Sequence, residues 1–420
     1  MKKFPAFLLI LLINICSYAQ PVCKDAVRAN REKLYRNIVN NTITKNLSVS
    51  LSDSTEEQWQ DAFWAMELIH FHSPWVDSKI RDGITGIQNQ TIAFQYAILE
   101  LAFCNYPQQF DKEIWDLFIK TTDSKILSIC AIYLSGSSQL NDRRELLVNK
   151  IRQQYEKAPA DPFLFQLYHR FVVADSSTVP PVAAFLQQDY LPGNVLLFSF
   201  QRKDRNYPGL ALVRDRSGKF MKDDAGDLFS VPQLARSVAN LPGFLTNGNT
   251  PEGISRMDGI DHSQSSFIGP TANIQLTMPF EYKAAHFFKD STLTDSSWNL
   301  EQYKSLLPAA ARDHIALLES WYAGKAGRTA IIAHGTTIDP AWYKGTPYFP
   351  LTPTQGCLCT KETWSDTTGL LMESDQQKLV NVILAAGGAN GYCIVINIDD
   401  QHKPVTLADI LPLLEAAGQK

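Results

Sequence analysis

No excess of one charge marks this chain: Lys and Arg number 39 against 43 Asp and Glu. A nucleic-acid footprint needs a basic stripe, so nucleic acid is excluded as a partner. Low-complexity runs are missing as well. Beyond the N-terminus no stretch is long and apolar enough to cross a membrane, and no transmembrane segment is expected. Cysteine is sparse and scattered, with seven in 420 residues and six of them after Cys16. That distribution excludes a disulfide scaffold. Cys104, Cys130 and Cys393 fall in apolar runs, where a thiol is usually small core filler.

What is present begins with Lys2 and Lys3, the apolar run Ala6–Ile13 and the small-x-small sequence Ser17-Tyr18-Ala19. Residues 1–19 therefore read as a secretory signal peptide. The expected location is exported, periplasmic or envelope-associated.

Residues 24–175 carry helical spacing throughout. Ala93, Tyr96, Ala97, Leu99, Leu101 and Cys104 recur with it, as do Ile126, Leu127, Ile129, Cys130, Tyr133 and Leu134. Helix starts are expected at Ser54, Asn89, Asp123 and Asp161. Their regular spacing suits HEAT-like helical repeats, with a plain bundle as the alternative. This half is expected to be a separate domain that offers a docking surface to an envelope protein and is not needed for chemistry.

A Pro-rich linker, 176–194, leads to a mostly-β half with a few helices, 195–420. Strands are expected at Val195–Gln201, Leu210–Val213, Ile254–Asp258, Ala272–Met278, Thr329–Ala333 and Cys393–Ile398. Leu300–Tyr322 and Ser374–Ala386 read as helices. The fold class is thus α + β in two domains.

Chemistry concentrates in one stretch. His334-Gly335-Thr336 follows a short strand, and Thr354-Gln355-Gly356-Cys357-Leu358-Cys359 closes a loop rich in Pro and aromatics. An imidazole beside a thiol lowers the thiol's pKa and activates it as a nucleophile. Glycine before the cysteine allows a sharp turn. That turn would aim the Gly356 and Cys357 N–H groups at a tetrahedral intermediate. Structural packing of a lone histidine and cysteine is the competing reading.

These motifs, with Thr250-Pro251-Glu252-Gly253 upstream, resemble the YkuD-type L,D-transpeptidases over about residues 195–400. The resemblance implies an exported cysteine acyltransferase that acts on peptidoglycan stem peptides as a transpeptidase or carboxypeptidase, with no cofactor. It implies Cys357 as nucleophile and His334 as base, with Thr354, Gly356, Gly335 and Thr336 shaping the oxyanion loop. Trp342, Tyr343 and Tyr348 would wall the substrate groove. The sequence departs from the family pattern at Gln355, where His is usual, and at Cys359. Cys359 is expected to modulate Cys357 by oxidation to a disulfide. The alternative function is a non-catalytic envelope scaffold with a degenerate transpeptidase fold.

Other clusters point to structure. His70 and His72 do not share a helix face. Asp258, Asp261 and His262 read as a solvated turn. A zinc site of Cys357, Cys359 and His334 lacks a fourth ligand, so no metal is expected. Gly387–Gly391 reads as a helix cap and turn.

Overall fold

The computed structural model describes residues 20–173, 179–293 and 298–419. The expected signal peptide, 1–19, lies outside them.

From Lys24 to Val173 every regular element is helical. Successive helices Glu56–Ile69, Ile92–Asn105, Ser124–Leu134 and Pro162–Tyr168 pack side by side in chain order. Two of the expected caps hold. Asp123 accepts from the Ile126 N–H, and Asp161 from those of Phe163 and Leu164, removing orphan donors at each N-terminus. The other two starts shift. Thr55 and Thr91, not Ser54 and Asn89, precede their helices, and Asn89 closes a short 3-10 turn.

The remaining chain builds a closed eight-stranded barrel. Its strands are β1 (Leu196–Arg202), β2 (Gly209–Arg214), β3 (Val231–Leu234), β4 (Gly253–His262), β5 (Ala272–Thr277), β6 (Ile331–His334), β7 (Leu358–Thr360) and β10 (Tyr392–Asp399). A separate hairpin pairs β8 (Glu362–Trp364) with β9 (Leu371–Ser374). Around the barrel the order is β1-β10-β4-β5-β6-β7-β3-β2. Only β1–β10 and β6–β7 run parallel.

Side chains alternate across a strand, and here both faces are buried. Leu197, Val213, Met257, Ile274, Ala333, Leu358 and Val395 fill the interior, joined by Leu379 and Ile383 of helix Asp375–Ala385. Leu196, Phe198, Phe200, Leu212 and Ile394 point outward beneath Phe287, Tyr303, Trp321 and Leu414. Two-sided burial explains why β1 and β10 are continuous apolar runs. Strands β3, β7, β8 and β9 carry no such run and were not expected. The stretch expected to be helical at 300–322 is divided at Pro308 into helix Leu300–Ser305, two 3-10 turns and helix Glu319–Lys325.

The two halves are not separate in their packing. One apolar core joins Met66, Leu99, Phe118 and Ile129 of the helical half to Val238, Leu241, Phe244 and Leu245 of the β3–β4 connection. Polar contacts cross the same boundary. Tyr96 Oη donates to the Thr246 carbonyl, Asn247 to Glu100, and Tyr343 Oη to the Leu68 carbonyl. Of the expected linker, residues 176–178 lie outside the described set. Val182, Phe185, Leu186 and Tyr190 are buried against the outer barrel face. Their apolar side chains make that stretch a packed element rather than a free tether.

Candidate functional site

Strand β6 ends on His334, and β7 begins one residue after Cys357. The parallel register pairs Ala333 with Leu358 and His334 with Cys359. Continued by one step, it sets Cys357 beside Ile332. Accordingly the Ile332 N–H points at Cys357 Sγ, 3.5 Å away, and the Ala330 carbonyl lies 3.8 Å from the same sulfur. Cysteine and histidine stand on adjacent strands two residues out of register, and no hydrogen bond joins them. The His334 ring instead bonds through Nδ1 to the Gly335 carbonyl. A carbonyl can only accept, so Nδ1 carries the proton and Nε2 keeps its lone pair.

Electrostatics argue against a resting ion pair. Burial lowers the His334 pKa to about 4. Burial also raises that of Cys357, opposed by the Ile332 N–H and by the Arg328 guanidinium. Imidazole and thiol are therefore both neutral at pH 7. A thiolate at Cys357 would require transfer of the thiol proton to a base.

The Gly356-Cys357 turn is held from three sides. Thr250 Oγ1, in the Thr-Pro-Glu-Gly turn, donates to the Gly356 carbonyl at 2.9 Å. Thr354 Oγ1 accepts from the Gly356 N–H at 3.0 Å and donates to the Cys357 carbonyl at 2.9 Å. Gly356 has φ +113°, and a Cβ there would meet Arg328 Nη2 and the Gly248 carbonyl. Arg328 is itself buried and binds the carbonyls of Gly243, Gly248 and Asn249. The expected pair of oxyanion donors is corrected by this geometry: the Gly356 N–H is occupied by Thr354.

Gly335 and Thr336 are braced by Glu362, a residue that no motif singles out. Its carboxylate accepts from the Thr336 N–H and from Ser374 Oγ, and a Cβ on Gly335 would collide with it. Burial raises the Glu362 pKa to about 7. Arg328 was equally illegible, because its partners are carbonyls some 80 residues away.

The three residues expected to wall a groove are engaged in packing. Tyr343 and Tyr348 are buried with Leu234 and Leu351, and the Arg236 guanidinium lies 4.7 Å from the Tyr348 ring centre. Trp342 packs near Tyr35. All three lie where the loop meets the helical half or within the loop's own core, because large rings gain most by leaving water. Cys359 is likewise in the core. It is fully buried on β7 with Thr352 as neighbour, its pKa pushed by burial up to about 12, and both it and Cys357 are free thiols. A buried, neutral thiol is poorly placed for the expected redox role.

The remaining clusters are engaged structurally. His72 faces Asp77, and His70 Nδ1 lies 3.9 Å from Cys104 Sγ. Asp258 is held by Arg256, Thr277 and His286. No helix among the described residues is long and apolar enough to cross a membrane.

Comparison with protein-family models, curated proteins and solved structures found no match.

Proposed function

We propose that this chain is an exported thiol acyltransferase of the L,D-transpeptidase kind, acting on peptidoglycan stem peptides through a Cys357 thioester. The observation that carries the reading is the Thr250–Gly356 hydrogen bond. It joins the Thr-Pro-Glu-Gly turn to the Gly-Cys turn, while the β6–β7 register brings His-Gly-Thr alongside. Two of the three segments singled out separately for one chemistry are thus bonded to each other, and the strand ending on His334 runs beside the strand that follows Cys357.

In this reading His334 Nε2 takes the Cys357 proton as Sγ attacks a peptide carbonyl. The imidazolium then protonates the departing amine. An amine or water releases the acyl group. The Cys357 N–H is the candidate oxyanion donor, and ring and sulfur must close toward each other when substrate binds.

The resting geometry favours a second reading, a non-catalytic envelope protein that retains the fold. A neutral imidazole bonded to its own neighbour's carbonyl and a thiol raised by burial are what such a protein would carry.

Intact-mass spectrometry after exposure to a carbapenem separates the two, since such compounds acylate the family's cysteine. The enzyme reading expects an adduct in the native protein and in Cys359→Ala, and none in Cys357→Ala. No adduct on the native protein supports the second reading.

A further inference from the structure

A cavity of about 600 Å³ opens between the helical half and the barrel, within the size range of small-molecule sites. Its walls are chemically mixed. Phe103, Leu147 and Phe244 supply apolar surface, while Gln166, Arg205, Glu252, Glu319 and Asn397 supply polar groups.

Arg205 is the unusual member. It is 6% exposed and its Nη1 has no hydrogen-bond partner, while Glu252 and Glu319 act on its charge without a direct ion pair. An unsatisfied buried donor is rare in a folded protein. Gln166, at 8% exposure, also leaves its Nε2 donor unused. On the acceptor side Asn397 Oδ1 is buried and unpaired. Glu252 binds the Asn397 N–H and side-chain amide, and Glu319 accepts from the Glu252 N–H. Spare donors call for an anion, and a spare acceptor beside two carboxyl groups calls for a cation.

We propose that this cavity binds a small zwitterion, an α-amino acid or short peptide, with its carboxylate on Arg205 and Gln166 and its ammonium toward Asn397, Glu252 and Glu319. The apolar wall receives the side chain. The site is distinct from Cys357 and does not depend on thiol chemistry.

Saturation-transfer NMR and calorimetry on the full chain provide the test, with L-leucine, L-phenylalanine and glycyl-L-leucine as probes. Alongside them run 4-methylpentanoate, which lacks the ammonium, and 3-methylbutylamine, which lacks the carboxylate. At least one zwitterion should bind with Kd below about 1 mM, and both analogues should bind at least about tenfold more weakly than leucine or fail to bind. Arg205→Met should lose binding by at least about tenfold, because it removes the unpaired buried donor offered to the carboxylate. Gln166→Leu, on helix Pro162–Tyr168, gives a second variant should Arg205→Met not fold. Cys357→Ala should bind as the native protein does, so failure of the acyltransferase reading leaves this result unchanged. Absence of zwitterion binding up to about 10 mM, equal binding of either analogue, or retained affinity in the folded cavity variants would overturn the proposal.

Discussion

Thr250 Oγ1 donates a 2.9 Å hydrogen bond to the Gly356 carbonyl, across 106 residues of chain. Both residues are pinned from behind, Thr250 by its N–H on the Ala235 carbonyl and Gly356 by Thr354. The thiol's position therefore depends on a turn far upstream. Thr250→Val keeps the shape and removes the donor, leaving a buried carbonyl without it. Stability should fall by about 1–2 kcal/mol, read by urea unfolding. Carbapenem acylation of Cys357 should slow as well. An unchanged midpoint and rate would show that the bond positions nothing.

Gly356→Ala is expected to be far more damaging. The residue has φ +113°, and its new methyl would stand 2.2 Å from Arg328 Nη2 and 2.5 Å from the Gly248 carbonyl. Strain of about 1–3 kcal/mol for the backbone adds to displacement of a buried guanidinium. Thermal unfolding should show a loss above about 2 kcal/mol. A loss smaller than that of Thr250→Val would mean the turn can relax.

Thiol reactivity tests the electrostatics without assuming a substrate. Cys357 is raised by burial and His334 is lowered to about 4. Iodoacetamide labelling of the native protein should accordingly climb only at alkaline pH, above the ordinary thiol range. If acylation occurs, its acid limb should fall near pH 4, where His334 gains its proton, with a plateau through neutrality. Labelling already maximal at pH 6 would reveal a thiolate–imidazolium pair instead.

Glu362 makes a signed prediction for stability. Its folded pKa is raised to about 7, above an ordinary carboxylate near ~4.3. Between these values the folded state binds more protons than the unfolded one. Stability is therefore fully present below about pH 4.3 and lost as pH rises to about 7. Its share is at most about 4 kcal/mol. Glu362→Gln should flatten the pH dependence in that window relative to native protein. Parallel curves for the two proteins would contradict the shift.

Truncation addresses the shared core. Residues 191–420 alone would expose Val238, Leu241, Phe244 and Leu245, which the helical half buries. Such a fragment should lack cooperative unfolding and label at several cysteines. In the full chain, Phe244→Ala should cost about 3–5 kcal/mol, as buried aromatic truncations do. A fragment that unfolds cooperatively would restore the two-domain view.

The sequence by itself determined the local elements. Apolar period marked the helices from 56 onward and the two-sided strands β1 and β10, and Asp123 and Asp161 announced their caps by side-chain chemistry alone. It also singled out His334, Cys357 and the turn at Thr250. Tertiary structure decided what these residues touch. Register set Cys359, not Cys357, opposite His334, because a shift of two residues along a strand costs nothing that composition records. Barrel closure buried Arg328 and Glu362, whose partners are backbone groups without a sequence signature. Trp342, Tyr343 and Tyr348 went into the packing between loop and helices because aromatic area is buried wherever a matching apolar surface lies. That surface belongs to elements distant in the chain, so only the folded arrangement reveals it.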